Sequence, residues 1–408
     1  MKNQSIFTLI FIGIAQILCA QNFKSFTTAD GLPSNNVQCV AVDQDDIIWF
    51  GTQEGLVSYD RRSWITYDQD SYSELASDNI TAVAVASNGN IWVGTDGGVS
   101  VFDGTQFTTY KTSDGLGSNR INYITPMSNG DIWLSDFNGA TKYDGTSFKA
   151  YKTADGLPFG GVECIAEDIN GDVIMATGLG GMIVFDGTSF TEITKESTSL
   201  LSNNMTALAI DATGKKWTGT SDGISVFGTD NSWIENHSRI FIMPPPDTLN
   251  PIEDIQIDSK GNVWAGVYVD YLVTVGGISK FDGSSWTDYD VSDGLAGPTV
   301  RKLAIDSKDD VWVATSAGVT LISDGSVGIP DVVLEKDNMW PNPAISYLNV
   351  ELYTSGVTTI EIFNAFGQKV LSSELGAEKS LHRIDIKELS SGTYFVKLGE
   401  NHQKLIVR

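Results

Sequence analysis

The chain has 408 residues, of which 51 are acidic and 26 basic, and its formal net charge is −25. A field of that sign repels phosphate backbones and anionic membrane surfaces, which excludes nucleic acid as an expected partner. No stretch beyond the first twenty residues approaches the roughly eighteen apolar residues that a membrane-spanning helix needs. We therefore expect no transmembrane segment in the mature chain.

The N-terminus is typical of a cleavable export signal. Lys2 precedes an apolar run from Ile6 to Leu18, and the small residue Ala20 stands just before Gln21. This order of a basic residue, a short apolar run and a small residue predicts a signal peptide over residues 1–20.

Three cysteines limit the redox chemistry of the chain. Cys19 raises lipoprotein processing as an alternative, but Leu18 stands before it, where such a site requires a small residue. Cys39 and Cys164 occupy equivalent positions of different repeats, in VQCVAVD and VECIAED. Equivalent positions of separate repeats seldom meet, so we expect buried thiols rather than a disulfide or a metal pair.

A tryptophan-centred segment returns along the first three quarters of the chain. The copies are DDIIWFGT, GNIWVGT, GDIWLSD, GDVIMAT, GKKWTGT, GNVWAGV and DDVWVAT, centred on Trp49, Trp92, Trp133, Met175, Trp217, Trp264 and Trp312. The early centres follow one another at 41 to 43 residues, whereas the last two gaps are 47 and 48. Turn residues around each centre separate four short strands, which predicts one propeller blade per repeat.

The two ends of the repeat region complement each other. The last repeat supplies three strands, ending near Leu321 to Asp324, and lacks the aromatic fourth strand of the others. Phe23-Lys-Ser-Phe26 provides such a strand at the N-terminus. We therefore predict an all-β fold, in which a seven-bladed β-propeller over residues 21–328 is closed by the N-terminal strand.

The repeats resemble two-component regulator propeller repeats. They share a D-G-L-P-S-N-x-V loop before the inner strand and a D-x-x-G-x-[IV]-W-x-G-T hairpin after it, and the resemblance covers about Phe23 to Asp324. In that family the repeats often form the periplasmic sensor half of a hybrid histidine kinase, which implies ligand sensing. No kinase or regulator domain follows the propeller here, so a kinase function is not expected.

A second domain, over residues 329–408, is predicted to be a small Ig-like β-sandwich. It resembles the type IX secretion C-terminal sorting domain in Pro341-Asn-Pro343, in the segments 360–370 and 389–397, and in the ending Lys404-Leu-Ile-Val-Arg408. The resemblance implies periplasmic transit, contact with the type IX secretion machinery, and a protein of a Bacteroidota-type cell that is secreted or attached to the outer surface. The alternative is an adhesive sandwich without a sorting role.

Motifs for catalysis and cofactors are sparse. The sequence has no H-E-x-x-H, G-x-S-x-G or P-loop motif. Acidic hairpins at Asp168, Asp258 and Asp306 begin as calcium loops do, but they lack a distal bidentate glutamate and are interpreted as Asx turns. No cofactor is predicted, and calcium stays an alternative. The repeated tryptophans are interpreted as packing between blades rather than as sugar platforms.

The two longest gaps mark the candidate ligand-binding site. Insertions at 236–250 and 267–275 belong to loops on one face of the ring, because strand direction alternates. Long loops on a rigid scaffold are where binding residues concentrate. The predicted ligand-binding residues are His237, Arg239, Phe241, Tyr268, Asp270 and Tyr271, with Asp96, Asp136 and Asn138 on the same rim. The alternative is a solvated loop without a ligand.

The sequence is compatible with three functions. The favoured hypothesis is an exported, non-catalytic propeller that binds a glycan or a protein at the insertion-bearing face and the central opening. The second is a propeller lyase acting on a polysaccharide or cyclic ester, with His237 as general base, Arg239 or Tyr268 stabilising negative charge, and a divalent cation on nearby carboxylates. It requires His237 to point into the central opening beside an acidic neighbour. The third is a purely structural surface protein.

Overall fold

The computed structural model divides into two compact units, Met1–Gly325 and Ser326–Arg408. The residues that the structure describes are 21–159, 161–238, 251–267, 276–324, 338–340, 344, 346–351, 358–364, 367–375, 381–398 and 401–407. The expected signal peptide lies outside them. No helix in these ranges is long and apolar enough to cross a membrane.

The described part of the first unit consists of four-stranded antiparallel sheets, each forming one blade. The N-terminal strand is β1 (Gln21–Phe26). Blade one comprises β2 (Val37–Val42), β3 (Ile48–Thr52), β4 (Gly55–Tyr59) and β5 (Trp64–Tyr67). Blade two comprises β6 (Ile80–Val85), β7 (Ile91–Thr95), β8 (Val99–Phe102) and β9 (Phe107–Tyr110). Blade three comprises β10 (Tyr123–Pro126), β11 (Ile132–Asp136), β12 (Gly139–Tyr143) and β13 (Phe148–Tyr151).

The later blades repeat this order. Blade four comprises β14 (Val162–Glu167), β15 (Val173–Thr177), β16 (Gly181–Phe185) and β17 (Phe190–Ile193). Blade five comprises β18 (Met205–Ile210), β19 (Lys216–Thr220), β20 (Gly223–Phe227) and β21 (Trp233–His237). Blade six comprises β22 (Ile252–Ile257), β23 (Val263–Val267), β24 (Ile278–Phe281) and β25 (Trp286–Tyr289). The last repeat contributes β26 (Val300–Ile305), β27 (Val311–Thr315) and β28 (Gly318–Asp324). Two short 3-10 helices, Thr112–Asp114 and Thr153–Asp155, lie in loops.

Blade seven combines the two ends of the repeat region. Strand β1 pairs antiparallel with β28, from Gln21 opposite Asp324 to Phe26 opposite Val319. The first strand of each blade contacts the first strand of the next, and β26 contacts β2. These seven inner strands therefore surround a central channel. The prediction of an all-β propeller is confirmed.

The motif residues pack between the blades. The six repeat tryptophans are each 6% exposed or less. In blade five, a side chain added at Gly219 of the W-x-G-T motif would lie 2.8 Å from Ala207 and from Ile252 of the next blade. The glycine is thus required by close approach of neighbouring sheets. The recurrence of the W-x-G-T motif in this chain therefore follows from packing between blades. The tryptophans are buried and are not exposed platforms for sugars.

The acidic hairpins cap their own turns. Asp258 Oδ1 accepts the backbone N–H groups of Lys260 and Asn262, at 3.1 and 2.8 Å. Its second oxygen accepts the indole N–H of Trp264 at 3.1 Å. Asp306 Oδ2 accepts the indole N–H of Trp312 in the same way, at 3.0 Å. The carboxylates therefore join each turn to the buried tryptophan of its blade.

Blade four departs from this arrangement. Met175 replaces the tryptophan, so the equivalent Asp168 has no indole partner. Lys216 of blade five replaces an aliphatic residue and places its Nζ 3.1 Å from Asp168 Oδ2, and both side chains are fully buried. The ammonium also donates to the carbonyls of Gly228 and Thr229, at 3.3 and 3.4 Å. A buried ion pair thus joins blades four and five where a tryptophan is missing.

The second unit has two sheets with a shared apolar core. One sheet contains β29 (Asn338–Trp340), β30 (Tyr347–Glu351) and, after two intervening strands, β33 (Leu381–Asp385). The other contains β31 (Thr358–Asn364), β32 (Lys369–Leu375), β34 (Gly392–Leu398) and β35 (Asn401–Val407). Leu348 and Val350 of the first sheet pack in one cluster with Ile360, Ile362 and Val396 of the second. The predicted β-sandwich is observed in these strands.

Candidate functional site

A β-bulge recurs near the start of the inner strands. In six blades the pairing of the inner strand with its neighbour skips one residue. In blade three the equivalent residue, Asn122, precedes the paired strand and donates its N–H to Ser135 O at 2.9 Å. Bulges leave a residue unpaired and re-aim its side chain, often beside functional sites. All seven residues are polar, and we call them the mouth ring: Gln38, Thr81, Asn122, Glu163, Thr206, Glu253 and Arg301.

The members of the mouth ring differ in how their side chains are held. The hydroxyls of Thr81 and Thr206 donate to carbonyls of the next blade, those of Ile121 and Ile252. The Asn122 amide nitrogen is buried and has no hydrogen-bond partner among the described residues. Burial raises the pKa of Glu253, and of Glu163, above the ordinary range. Threonines therefore brace the ring, while the amide and the carboxyls stay capable of further bonding.

The channel is filled immediately beyond the mouth ring. At the next position of the inner strands, four blades carry small residues, namely Cys39, Ala82, Cys164 and Ala207. The other three blades carry Tyr123, Asp254 and Lys302 at this level, and we call these three side chains the plug. Lys302 Nζ lies 3.4 Å from Asp254 Oδ1 and 5.1 Å from the centre of the Tyr123 ring. The plug thus spans the channel from blade seven to blade three.

The charges of the plug balance locally. Burial by itself would lower the pKa of Lys302. Its interactions with Asp254, Tyr123 and Glu253 have the larger combined effect, so the pKa of the ammonium is raised. Asp254 Oδ2 accepts the backbone N–H of Leu303 at 2.8 Å. Burial also raises the pKa of both thiols at this level, Cys39 and Cys164, to about 12. The cysteines are accordingly free, neutral and buried.

Two spaces adjoin the plug, and they share Tyr123, Ile124 and Gln256 in their linings. A cavity of about 60 Å³ is lined by Thr81, Asn122 and the three plug residues, among others. Tyr123 also lines a funnel of about 420 Å³ further along the channel. The inner strands end there in residues that are apolar except for one glutamate, namely Val42, Val85, Pro126, Glu167, Ile210, Ile257 and Ile305. At one mouth the bulged residues of the inner strands are all polar, whereas at the other the inner strands end mainly in apolar residues.

His237 lies in a different place from the one the lyase hypothesis requires. It ends the outer strand β21, and its ring stacks on Trp217 at 5.7 Å and contacts Phe281 at 5.0 Å. Its Nδ1 accepts the indole N–H of Trp286 at 3.4 Å. Burial lowers the pKa of His237, with Glu235 acting in the opposite direction. The imidazole takes the position at which Tyr151 stacks on Trp133 in blade three, so it is a packing residue between blades.

The other predicted residues are divided between the rim and the part that the structure does not describe. Asp96 is exposed after β7 and accepts from Asn79 Nδ2 at 3.2 Å. Asn138 is exposed after β11, and its N–H donates to Asp136 Oδ1 at 2.6 Å. Both lie on the face of the mouth ring, because these strands end beside the inner-strand starts. Outside the described residues lie Arg239, Phe241, Tyr268, Asp270 and Tyr271.

Asp136 is a buried residue at a repeat position where blade two has threonine, and it is not an exposed binding group. It is 1% exposed and stands where blade two has Thr95, whose hydroxyl donates to Gly98 O at 2.9 Å. An ionised carboxylate cannot make that donation, and Asp136 Oδ2 has no partner among the described residues. Burial raises the pKa of Asp136. The fold therefore disfavours the charged form of Asp136 compared with water.

Replacing Asp136 with threonine should stabilise the propeller at neutral pH by about 1–3 kcal/mol, because a buried acceptor without a partner is replaced by a hydroxyl that can donate. A raised pKa in the folded state means that the wild-type carboxyl loses stability as the pH rises through that pKa. The advantage of Asp136→Thr should therefore shrink as the pH falls toward the ordinary aspartate range. Urea unfolding at several pH values tests this, and a pH-independent difference would contradict it.

An exposed apolar patch, missed in the sequence, adjoins the mouth ring. Phe137 and Leu179, at the loop tips of blades three and four, are 55% and 70% exposed. Phe159 lies between them, beside Gly161 and Gly180. The guanidinium of Arg120 stands 5.1 Å from the centre of the Phe137 ring. At the same turn, other blades carry small or polar residues, such as Asp96-Gly97 and Ser221-Asp222. The large apolar residues at Phe137 and Leu179 are therefore the sequence signal that could have revealed the patch.

Comparison with protein families finds matches in both units. Residues 338–408 match the family described as secretion system C-terminal sorting domain. Residues 31–54 and 74–97 match the two component regulator propeller. No curated protein matches the chain. The chain is thus a β-propeller protein that carries two-component regulator propeller repeats and a type IX sorting domain.

Solved structures share the fold at low sequence identity. One is the extracellular domain of a putative hybrid two component system from B. thetaiotaomicron, with 18% identity over 94% of this chain and 54% of that one, at a TM-score of 0.62. Another is PorZ, a surface component of the type-IX secretion system of Porphyromonas gingivalis, with 14% identity over 92% and 60%, at 0.57. A third is virginiamycin B lyase from Staphylococcus aureus, with 12% identity over 74% and 98%, at 0.57. The chain spans little more than half the length of the first two.

The match to the sorting domain bears on where the chain is delivered. It implies interaction with the secretion machinery and export to the cell surface or outside the cell. The likeness to the lyase is a likeness of fold alone, since a common fold hosts unrelated chemistries.

Proposed function

We propose that this protein is an exported, non-catalytic binding propeller that holds a glycan at the polar mouth of its channel. The observation that carries the proposal is the mouth ring, in which every blade presents a hydrogen-bonding side chain at the same level. Six of these residues are placed by a bulge. A bulge costs ladder hydrogen bonds, so its recurrence with polar side chains favours a role in recognition.

The chemistry of the ring matches sugar hydroxyls. Asn122 and Arg301 supply donors, whereas Glu163 and Glu253 supply acceptors. Each hydroxyl of a sugar both donates and accepts, so it can bond to either kind. The position of His237 between aromatic rings supports binding over the lyase alternative, because the general base that the lyase needs is not at the opening.

A protein ligand is the second candidate, supported by Phe137 and Leu179. Interfaces concentrate their binding energy in aromatic and arginine anchors, and Arg120 lies over Phe137. A protein partner would cover this patch, whereas a glycan at the mouth need not touch Leu179.

An array of defined oligosaccharides, probed with the full mature chain, tests the proposal. We expect binding that falls about five- to 150-fold in Arg301→Ala and Asn122→Ala, because each loses hydrogen bonds to the ligand worth about 1–3 kcal/mol. Leu179→Ser is the matched control and should bind glycans as the wild type does. Loss of glycan binding in Leu179→Ser with retention in the ring variants would place the glycan on the apolar patch instead of the mouth ring, and would contradict the proposal. No binding to any glycan would refute the proposal.

A further inference from the structure

We infer that the polar mouth is a blind site that accepts only the end of a carbohydrate chain, and that the terminal sugar is neutral or carries an amine rather than a carboxylate. This inference rests on the proposed function and specifies its ligand. Two features carry it: the plug, which limits depth, and the distribution of charge around the mouth.

Depth is limited by what lies beyond the mouth ring. The cavity of about 60 Å³ holds only a few waters, since one water occupies about 30 Å³ of liquid. Lys302 and Tyr123 approach each other across the channel, with 5.1 Å between Nζ and the ring centre. Tyr123 lines the far funnel as well, so it forms part of the wall between the two spaces. The plug therefore prevents a carbohydrate chain from passing through the channel.

The plug is not required by the propeller fold. The blades with Ala82 and Ala207 place a small residue at the same level. A partly buried ion pair such as Lys302–Asp254, with side chains 20% and 5% exposed, adds little net stability compared with apolar residues of similar size, because desolvation offsets the attraction. Three departures from the repeat, in blades three, six and seven, nevertheless meet at one cavity. Their convergence indicates that closing the channel below the mouth is their role.

Charge at the mouth selects the terminal group. The acidic side chains of the ring and plug are Glu163, Glu253 and Asp254, against the basic Arg301 and Lys302, which leaves one negative charge when all are ionised. Lys302 is already engaged by Asp254. A ligand carboxylate would meet Glu163 and Glu253, and Arg301, the other cation of the ring and plug, already interacts with Glu253. Like charges at short range are unfavourable. A hydroxyl or an ammonium group is not repelled by these carboxylates. The Asn122 amide nitrogen, which has no partner among the described residues, can donate to a hydroxyl oxygen.

Matched oligosaccharides distinguish these properties. The full mature chain is titrated calorimetrically with linear gluco-oligosaccharides, cyclic ones of the same sugar, chitosan oligomers and oligouronates, together with the best ligands from the array. We expect linear neutral or amino-sugar chains to bind at least tenfold more tightly than cyclic or uronate-ended chains. The double variant Glu163→Gln/Glu253→Gln should reduce the discrimination against uronates about tenfold. Glu167→Gln, at the opposite mouth, should leave the binding unchanged.

The outcomes separate this inference from the proposed function. If cyclic or uronate-ended chains bind as tightly as linear neutral ones, the mouth is not a blind, charge-selective site, although glycan binding itself stands. If uronate discrimination persists in Glu163→Gln/Glu253→Gln, its cause lies elsewhere and the charge argument fails. If no oligosaccharide binds, the proposed function fails and takes this inference with it.

Discussion

Replacing Lys216 with methionine should lower the free energy of unfolding by about 3–5 kcal/mol. The substitution removes the ammonium but leaves the carboxylate of Asp168 fully buried between blades four and five. An uncompensated buried charge is among the most destabilising changes a core can suffer, whereas an intact buried pair contributes little. Chemical denaturation followed by tryptophan fluorescence measures the loss.

The repeat itself supplies the matched control for this prediction. Between blades two and three the equivalent positions are Ala86 and Ile132, an apolar pair. The double variant Asp168→Ala/Lys216→Ile copies them and should recover most of the stability lost in Lys216→Met. A double variant that is no more stable than Lys216→Met would show that the loss arises from packing volume rather than from an orphaned charge.

Replacing Phe26 with alanine should cost about 3–5 kcal/mol, the usual range for deleting a buried phenylalanine ring. Phe26 is 4% exposed, stacks on Trp312 at 5.9 Å, and contacts Tyr59 and Trp64 of blade one at 5.5 and 5.6 Å. One side chain therefore joins the N-terminal strand to both the last blade and the first.

The same variant should show how far the ring depends on β1. Amide exchange in β28 should accelerate in Phe26→Ala, since weaker docking of β1 exposes that strand's edge. Asn22→Ala, at an exposed position of the same strand, is the control and should alter neither stability nor exchange. Equal exchange in wild type and Phe26→Ala would mean that β1 does not depend on this contact.

The regular part of the fold was predictable because each blade repeats the same turn and strand chemistry. The spacing around Trp92 and Trp133 was enough to place four strands in each blade. The aromatic strand at Phe23 to Phe26 completed a pattern that the last repeat left open, and it pairs with β28. Repetition supplied several independent examples of each element, so local ambiguity at any one position mattered little.

The candidate site was less predictable, for physical reasons that particular residues show. His237 was predicted to bind a ligand because it lies in the insertion at 236–250, but the aromatic rings of two blades enclose it. Asp136 looked like a rim carboxylate, yet it fills the buried position of a threonine. The bulges that position Glu163 and Glu253 have no local sequence signature, since they arise from pairing with the neighbouring strand. The plug depends on contacts between residues up to some 180 positions apart, as in Tyr123 and Lys302, which sequence spacing does not reveal.

The pairing of β1 with β28 has a kinetic consequence. Ser25 and Thr320 hydrogen bond although 295 residues separate them in the chain. Contacts of such long range form slowly, because the loop must close before the contact contributes energy. Because the N-terminus of the polypeptide emerges first, β1 cannot pair with β28 until the last repeat has emerged as well. Completion of the propeller is therefore delayed until nearly all of its sequence is present, which leaves an interval in which the first strand is accessible to chaperones and to aggregation.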